Sequence, residues 1–311
     1  MKTTLFIAAS FLTTAALAQP IPKDADSGPI QAASSAGAGP FKAVVSAAHP
    51  LASEAGLSIL KRGGSAADAA IATMLSLTVV EPQSSGIGGG GFMVRADGKT
   101  LALTTYDGRE TAPAAATPTR FLDASGKVLG RDTRVFSGLS VGVPGNVALA
   151  AEAHKKWGKL PWAKLFQPAI ILAEEGYVVT PRLAGTIARM APRWDGFDAT
   201  KAIYFQDGRP KTAGEVVRNP ALAKTLRQIA KKGPRAFYSG PIAKEIASTV
   251  SNAPLNAAPM TPADLAAYEA KERQPVCVLY RVYRLCGMGP RSSGATTVFQ
   301  ILGMVERFDM K

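Results

Sequence analysis

Residues 84–92 read Ser-Ser-Gly-Ile-Gly-Gly-Gly-Gly-Phe and are the most glycine-rich segment of the chain. Glycine occupies five of the six positions from 86 to 91. Because glycine tolerates positive φ and has no Cβ, this run predicts a backbone segment that other groups approach closely. An alanine-rich apolar run at residues 66–80 precedes it, and a strand-like run begins at Gly91. We therefore expect the glycines to link a buried helix to a strand.

Beyond the glycines, the sequence predicts a β-hairpin followed by an arginine. Residues 91–96 and 100–105 are the strand candidates, and Asp97-Gly98 between them suits the turn geometry that matches strand twist. Arg109 follows the second strand closely. Its planar guanidinium can hold a carboxylate through two parallel hydrogen bonds and stays charged. Arg109 is therefore the candidate carboxylate-binding residue.

The first 40 residues predict export rather than globular structure. Lys2 is followed by a short apolar core at residues 5–15, and Ala-Leu-Ala at 16–18 matches a signal cleavage site. The alternative, a membrane anchor, needs about 20 apolar residues, and this core is shorter. Residues 19–40 are rich in Pro, Gly, Ser and Ala, which predicts a flexible leader. We expect a signal peptide at 1–18, one domain over 41–311, and a periplasmic or secreted protein without a stable membrane anchor.

The charge of the chain argues against a nucleic-acid partner. The formal net charge is +13, but the basic residues are scattered along the chain. No dense basic run is interleaved with aromatic residues, so binding to nucleic acid is not expected. An attraction to anionic small substrates or anionic surfaces fits this charge better.

The chain has two cysteines, Cys277 and Cys286, at the ends of a run that looks like two strands folding back on each other. In an exported protein, such a pair suggests a disulfide, and a cross-strand bridge would be within reach. Two separate buried thiols are the alternative. A metal site is not expected, because the whole chain has only two histidines.

Helix signals recur along the chain. Pro50 opens a predicted helix that runs to about residue 62, and Ser65 with Asp68 forms a capping-box pattern for the next helix, to residue 80. Asn146 is the expected cap of a helix over 147–157. Other signals predict a short strand at 44–47 and further helices near 162–175, 220–231, 241–251, from 262 onward, and around 298–305.

Two motif matches fail on their structural context. Residues 86–91 match the dinucleotide-binding glycine pattern, but that motif needs a strand before it and a helix after it, and here the order is reversed. Residues 138–142 match the nucleophile-elbow pattern, but Val-Pro-Gly follows where a helix is required. Of the histidines, His49 is expected to serve the helix start that follows it, and His154 to be exposed to solvent.

Several blocks, taken in order, resemble the γ-glutamyltranspeptidase family (glutathione hydrolases). They cover residues 49–53, 63–70, 86–91, 109–113, 140–145, 158–162, 168–176 and 290–294. The similarity extends over about residues 41–311, and many ordered blocks are more specific than any single motif. One departure is Arg291, which stands where the family typically shows the second proline of Pro-Pro-Ser-Ser-Gly.

This resemblance implies an α/β (α+β layered) fold, the αββα sandwich of the N-terminal-nucleophile hydrolases, incomplete in this chain. In that family a threonine released by self-cleavage attacks the γ-glutamyl amide, and its own amine acts as base. That threonine belongs to a C-terminal half beyond the block at 290–294. We therefore expect no catalytic residue in this chain, and Thr296 and Thr297, at a helix start, are not taken as nucleophiles.

The resemblance also assigns a role to Arg109, which is expected to hold the α-carboxylate of the γ-glutamyl group. Asp107 and Glu110 would orient it, and the alternative is a surface arginine paired with one of these two carboxylates. The implied partners are small γ-glutamyl substrates such as glutathione, and the missing C-terminal half or small subunit. No metal or organic cofactor is implied.

The expected function is γ-glutamyl transfer or hydrolysis through a threonine acyl-enzyme, with the nucleophile-bearing half absent here and this chain inactive alone. One alternative is a cephalosporin or glutaryl acylase of the same superfamily. The other is a non-catalytic truncated fragment that associates with another chain.

Overall fold

The structure is a computed structural model that describes residues 43–309. The signal peptide predicted at 1–18 and the leader predicted at 19–40 lie outside the described residues, so they and the domain boundary at 41 stay predictions. Within residues 43–309, no helix is both long and apolar enough to cross a bilayer.

The described residues form a mixed α and β structure in which helices predominate. The helices are α1 Pro50–Lys61, α2 Ala66–Val80, α3 Arg131–Val135, α4 Asn146–Trp157, α5 Trp162–Glu175, α6 Pro181–Met190, α7 Asp198–Tyr204, α8 Pro220–Lys232, α9 Arg235–Tyr238, α10 Pro241–Ser251, α11 Pro262–Ala266 and α12 Gly294–Val305. The strands are β1 Gly91–Ala96, β2 Leu103–Gly108, β3 Tyr177–Val178, β4 Phe205–Gln206, β5 Arg209–Pro210, β6 Val216–Val217, β7 Lys271–Arg273, β8 Val276–Tyr280 and β9 Tyr283–Gly287.

The first two helices begin where the sequence predicts. His49 Nδ1 accepts a hydrogen bond from the Leu51 N–H at 3.2 Å, so a histidine caps α1. Ser65 Oγ accepts from the Asp68 N–H at 3.0 Å, and Asp68 Oδ2 accepts from the Ser65 N–H at 2.9 Å. This reciprocal pair satisfies two backbone donors that the first turn of α2 cannot pair internally. Both predicted helix starts, and the role expected of His49, are confirmed.

The core lies around α2, which is buried on most sides. Helices α1, α4 and α5 pack against it, and α8 packs against α5. Ile71 and Leu75 are each 1% exposed, and small residues such as Ala69 and Ala72 let neighbouring helices approach closely. A helix that is apolar all round belongs to an interior. The prediction of a buried helix before the glycine run is confirmed.

The largest sheet among the described residues has the order β1-β2-β7 with antiparallel pairing. Strand β1 begins as predicted, but β2 starts at residue 103 rather than 100. The connection covers residues 97–102 and has Leu101 at φ 56°. Asp97 Oδ1 accepts from the N–H groups of Lys99 and Thr100 at 3.1 Å each, which favours this longer loop over a two-residue turn. The predicted hairpin is therefore confirmed, with Asp97 and Gly98 in its connection, but that connection is longer than predicted.

Three further predictions are corrected by tertiary contacts. Residues 44–47 are not a strand, since no strand among residues 43–309 pairs with them. Helix α4 begins at Asn146 with Gly145 as its cap, because the Asn146 side chain bonds elsewhere. His154 is half-buried rather than exposed: its Nε2 lies 2.8 Å from the Leu160 carbonyl oxygen and 3.9 Å from Asp68 Oδ1.

The C-terminal part of the described chain is an antiparallel hairpin, β8–β9, with α12 beside it. Cys277 lies opposite Cys286 in the register, and the two sulfur atoms are 2.13 Å apart. No residue of α12 is buried. This part of the molecule is therefore held by the hairpin pairing and by one helix that leaves its apolar side chains uncovered.

Candidate active site

The glycine run packs against the end of β2 and the start of α4. The Gly89 carbonyl accepts hydrogen bonds from the N–H groups of Gly145 at 2.9 Å and Asn146 at 3.1 Å. A Cβ on Gly90 would lie 2.5 Å from the Gly108 carbonyl oxygen, so no larger residue fits there. This is the close backbone approach that the sequence predicts for the glycines.

Asn146 ties the same loop together from the helix side. Its Nδ2 donates to the Gly86 carbonyl at 2.7 Å, while a Cβ on Gly91 would come within 2.9 Å of its Oδ1. The side-chain amide of Asn146 therefore lies against both ends of the glycine run, at Gly86 and at Gly91. The glycine run is thus held against the start of α4, and it lies at the edge of a cavity.

Asp107 is the buried centre of the polar network at the end of β2. Its side chain is 3% exposed, and its Oδ1 accepts the Arg109 N–H at 3.0 Å. Its Oδ2 accepts from Arg273 Nε at 3.2 Å and Nη2 at 3.1 Å, a two-point contact between guanidinium and carboxylate. Burying a carboxylate without hydrogen-bond partners is costly, and these contacts supply the partners. Asp107 therefore fixes the backbone at Arg109 and does not contact its guanidinium.

Arg109 has a fixed backbone and an open side chain. The Tyr268 hydroxyl donates to the Arg109 carbonyl at 2.7 Å, and the Tyr268 ring stacks on Tyr238 with centroids 5.7 Å apart. The Arg109 side chain is 53% exposed, and its Nη1 lies 3.2 Å from Glu110 Oε2. Glu110 therefore contacts the guanidinium directly, which fits both the predicted orienting carboxylate and the alternative of a surface arginine paired with Glu110.

A cavity of about 660 Å³ opens beside these residues. Arg109 and Glu110 form one wall, and Arg120 and residues 139–142 form another. Arg120 Nε donates to the Leu139 carbonyl at 2.7 Å, so its guanidinium braces the loop that it faces. Of the two arginines that line the cavity, Arg120 is engaged with this loop, while Arg109 has an exposed side chain and a backbone fixed by Asp107 and Tyr268. Such a group can bind the carboxylate of a small ligand.

Arg291 completes the ring of charges around Asp107. Its Nε lies 3.8 Å from Asp107 Oδ2, on the approach to α12. Burial raises the pKa of Tyr268 to about 12, Asp107 adds to that rise, and the positive charge of Arg291 opposes it. The Tyr268 phenol therefore remains protonated at neutral pH, as a hydrogen-bond donor to the Arg109 carbonyl must be.

Arg109, Asp107 and Glu110 were predicted from the sequence, whereas Arg273, Tyr268 and the contact of Arg291 with Asp107 were not. Arg273 reaches Asp107 because β7 pairs with β2, with Thr105 opposite Arg273 in the register. No local pattern in the sequence reports that pairing, since the two strands are far apart along the chain. Thr296 and Thr297 lie in the first turn of α12, and the Thr296 hydroxyl donates to the Ser293 carbonyl at 3.0 Å. Among residues 43–309 no group of acidic, histidine or cysteine side chains has the arrangement of a metal site.

Comparison with known proteins places these features in a common context. The family model described as gamma-glutamyltranspeptidase matches residues 52–311. The glutathione hydrolase proenzyme of Bacillus subtilis (strain 168) is 40% identical over 267 residues, which is 86% of this chain and 45% of that protein. The chain thus spans about half the length of the curated relatives it matches.

Solved structures give the same result. The γ-glutamyltranspeptidase of Helicobacter pylori superposes with a TM-score of 0.83 at 37% identity, covering 88% of this chain and 77% of that one. A cephalosporin acylase from Bacillus halodurans superposes with a TM-score of 0.74 at 36% identity, covering 84% and 48%. The likeness therefore extends to both transpeptidases and acylases.

Proposed function

The chain belongs to the γ-glutamyltranspeptidase family, and we propose that it supplies the substrate-binding part of an enzyme that hydrolyses or transfers γ-glutamyl groups, such as that of glutathione. The predicted fold class, an α+β N-terminal-nucleophile hydrolase, is confirmed by the likeness to solved γ-glutamyltranspeptidases. In the proposal, Arg109 holds the α-carboxylate of the γ-glutamyl group, and Asp107 and Glu110 position it.

One observation carries the proposal: the Arg109 guanidinium lines an open cavity while its backbone is fixed. The N–H is bound by Asp107 and the carbonyl by Tyr268, so both backbone groups of Arg109 are already held in the absence of a ligand. A preorganised cation loses little entropy on binding an anion. The contact of the guanidinium with Glu110 is half-exposed and can coexist with a carboxylate ligand, because a guanidinium has five N–H donors.

The chemistry in this proposal is acyl transfer. A threonine from a C-terminal half attacks the γ-carbonyl, its α-amine takes the proton, and the amine product leaves. Water or an amino acid then attacks the acyl-enzyme and releases the γ-glutamyl group. Arg109 does not touch the reacting carbonyl in this scheme. It fixes the far end of the substrate, and such positioning contributes to the rate by holding the reacting groups together.

The exposed apolar surface of α12 supports a second half as partner. Val298, Ile301 and Met304 are each at least half exposed, as is Phe308 just beyond the helix. Contiguous apolar surface of this kind marks an interaction site in a folded protein. The proenzyme of Bacillus subtilis has about as much chain again outside the matched region. We propose that the corresponding C-terminal half covers α12, and that the protein acts outside the cytoplasm, as residues 1–18 predict.

The test is a substitution of Arg109 in the complete gene product, assayed with γ-glutamyl-p-nitroanilide. Arg109→Gln removes two charge-assisted hydrogen bonds, worth together about 3 kcal/mol, so we expect KM to rise about 100-fold. Arg109→Lys keeps the positive charge but loses the pair of parallel N–H donors. Its KM should therefore lie between that of the unsubstituted enzyme and that of Arg109→Gln. Arg131→Gln, at a guanidinium that is 78% exposed, is the matched control and should leave KM unchanged. An unchanged KM in Arg109→Gln would remove its assigned role.

The acylase alternative rests on the cephalosporin acylase likeness, and the substrate distinguishes it. A glutaryl group and a γ-glutamyl group carry the same terminal carboxylate and differ only by the α-amino group. Arg109 could therefore hold either of them. We expect kcat/KM to be higher for the γ-glutamyl amide than for the matched glutaryl amide. The opposite preference would make the enzyme an acylase.

A further inference from the structure

One end of the molecule brings together segments that are far apart in the sequence. The turn that joins α4 to α5 packs on the end of α1, since a Cβ on Gly64 would lie 3.2 Å from Leu160 Cδ1. The Leu160 N–H donates to Asp68 Oδ2 at 3.1 Å, at the start of α2. Trp162 Nε1 donates to the Ile229 carbonyl at 3.1 Å, near the end of α8. The C-termini of α1, α4 and α8 and the start of α5 therefore lie close together.

The segments that meet at this end carry positive charge almost without compensation. Residues 61–62, 155–164 and 231–235 contain no acidic residue. Their basic side chains are all exposed and are named here the basic end: Lys61, Arg62, Lys155, Lys156, Lys159, Lys164, Lys231, Lys232 and Arg235. Within residues 43–309 only Lys156 of this set has an ion pair, with Glu272 at 2.8 Å. Basic residues that are scattered along the sequence are thus gathered on one surface by the fold.

The helix ends account for only part of this charge. Lys61 lies in the last turn of α1, and the last turns of α4 and α8 also carry lysines. Cations at these positions interact favourably with the negative end of a helix dipole, which is equivalent to about half an elementary charge. Three helix ends therefore offset roughly one and a half positive charges. The remaining charge of the basic end is open to an external anion.

We propose that the basic end binds an anionic lipid surface and holds the protein reversibly at a membrane. Negatively charged headgroups attract clustered basic side chains over about a Debye length. Residues 61–62, 155–164 and 231–235 expose no large apolar side chain, so the contact is electrostatic and needs no insertion. Residues 1–18 predict export, which places the protein beside a membrane. The inference does not depend on the γ-glutamyl activity.

The aromatic side chains favour a lipid surface over a nucleic acid. The segments of the basic end contain two aromatic residues, Trp157 and Trp162, and both are half-buried. Trp157 packs edge-on against Tyr106 with ring centroids 5.6 Å apart, and Trp162 against Phe166 at 4.8 Å. Neither ring is free to stack on a base, as the binding of single-stranded nucleic acid requires. A lipid surface requires only the charge.

Binding through the basic end leaves the candidate active site accessible. Helix α4 begins at Asn146, beside the glycine run, and ends at Trp157, at the basic end. A helix of 12 residues is about 18 Å long, so this length separates the two sites. Soluble substrates therefore still reach the cavity at Arg109 when the protein is bound to a membrane.

The test measures cosedimentation with lipid vesicles. It uses the complete gene product expressed from Gln19 onward, so that the apolar core at residues 5–15 is absent. We expect binding to vesicles of phosphatidylglycerol and phosphatidylcholine in equal parts, and no binding to phosphatidylcholine alone. NaCl at about 1 M shortens the Debye length to about 3 Å and should release the protein.

Removal of charge from the basic end should abolish this binding. Four changes to glutamine, at Lys155, Lys159, Lys231 and Lys232, should lower the partition coefficient at least about 100-fold, because each basic residue near an anionic surface contributes about fivefold. The matched control has four changes to glutamine at exposed residues elsewhere, and its partition coefficient should stay within about threefold. The control positions are Lys127, Arg131, Arg189 and Arg284. Both variants carry the same net charge and should keep the kcat/KM of the unsubstituted protein.

Every outcome decides the inference. Absence of binding at low salt, equal binding to phosphatidylcholine alone, or an equal loss in the control variant would show that it is wrong. Release of the protein from the vesicles by double-stranded DNA at equal phosphate concentration would make nucleic acid the partner, which also overturns it. If the fourfold variant does not fold, the pairs Lys155 with Lys159 and Lys231 with Lys232 are changed separately. Each pair should cost at least about 10-fold in the partition coefficient, and no loss in either would contradict the proposal.

Discussion

Helices α2 and α12 are both apolar, yet one is enclosed and the other is open. Helix α2 contains one charged residue, Asp68, and α12 contains none. Ile71 of α2 is 1% exposed, whereas Ile301 of α12 is 52% exposed. Composition alone would make both helices interior. The difference lies in what surrounds them: α2 has helices on several sides, and α12 has only the β8–β9 hairpin among its main contacts.

An apolar helix therefore indicates that the chain needs a partner for it, and not that the partner is present. The hydrophobic contribution to stability follows the apolar area removed from water. Helix α2 buries its apolar area within residues 43–309 and is stabilised by that burial. Helix α12 leaves most of its apolar area exposed to water and gains little. The described chain therefore has one closed region and one region whose stability depends on further contacts.

The same substitution in α2 and in α12 should have very different effects on stability. Ile71→Ala removes three buried carbon atoms and leaves a cavity, so we expect the free energy of unfolding to fall by about 3–4 kcal/mol. Ile301→Ala, in the same 311-residue chain, should change it by about 0.5 kcal/mol or less, since half of that side chain is already in water. Urea denaturation followed by circular dichroism measures both changes.

Equal losses from the two substitutions would mean that the α12 face is buried in solution, against a second copy or another segment. A small loss in Ile71→Ala would mean that the α2 region is loosely packed. In a product that contains the proposed C-terminal half, Ile301→Ala should become more costly, because the same side chain would then be covered.

Much of the fold follows from local signals. The capping boxes at Ser65 and at Thr261, with acidic residues three positions later, start α2 and α11 as predicted. Gly176 and Gly233 end α5 and α8 at positive φ, where glycine carries no steric cost. These signals lie within a few residues of each other, so the sequence alone is enough to locate them.

The parts that sequence could not predict depend on contacts between distant residues. Asn146 has a side chain suited to capping a helix, but its Nδ2 donates to the Gly86 carbonyl instead. His154 has lysine neighbours that suggest exposure, but the turn before α5 brings the Leu160 carbonyl to its ring. Arg109 was predicted because it follows a strand in a recognisable block. Arg273 was missed because only the β2–β7 register brings it to Asp107.

Buried hydrogen bonds should also distinguish the closed region from the open one. Asp68 is fully buried, and its Oδ2 accepts from the N–H groups of Ser65, Lys159 and Leu160 at 2.9–3.1 Å. Asp68→Ala leaves these donors without an acceptor, so we expect a loss of about 3 kcal/mol in the free energy of unfolding. Asp68→Asn keeps an acceptor oxygen and should cost about 1 kcal/mol.

The matched control is Glu306→Ala in the open region. Glu306 Oε1 accepts the Arg281 N–H at 2.8 Å, but both residues are exposed, so water can replace the bond. We expect a change of about 0.5 kcal/mol or less. A similar loss in Asp68→Ala and Glu306→Ala would contradict the division into closed and open regions.

The smallest effect on the core is expected from the cysteine pair. We predict that alkylation under denaturing, non-reducing conditions labels neither Cys277 nor Cys286, as mass spectrometry would show. Isolated two-stranded hairpins are marginally stable in water, so the cross-link should contribute mostly to β8–β9 itself. Reduction, or the double change Cys277→Ser and Cys286→Ser, should speed amide exchange in residues 276–287 and leave exchange in α2 within about twofold, because local openings need not involve the core.

Labelling of both cysteines would show that the disulfide prediction is wrong. An equal rise of amide exchange in α2 would show that the open and closed regions unfold as one cooperative unit. In that case α12 would be stabilised by the core and not only by the β8–β9 hairpin.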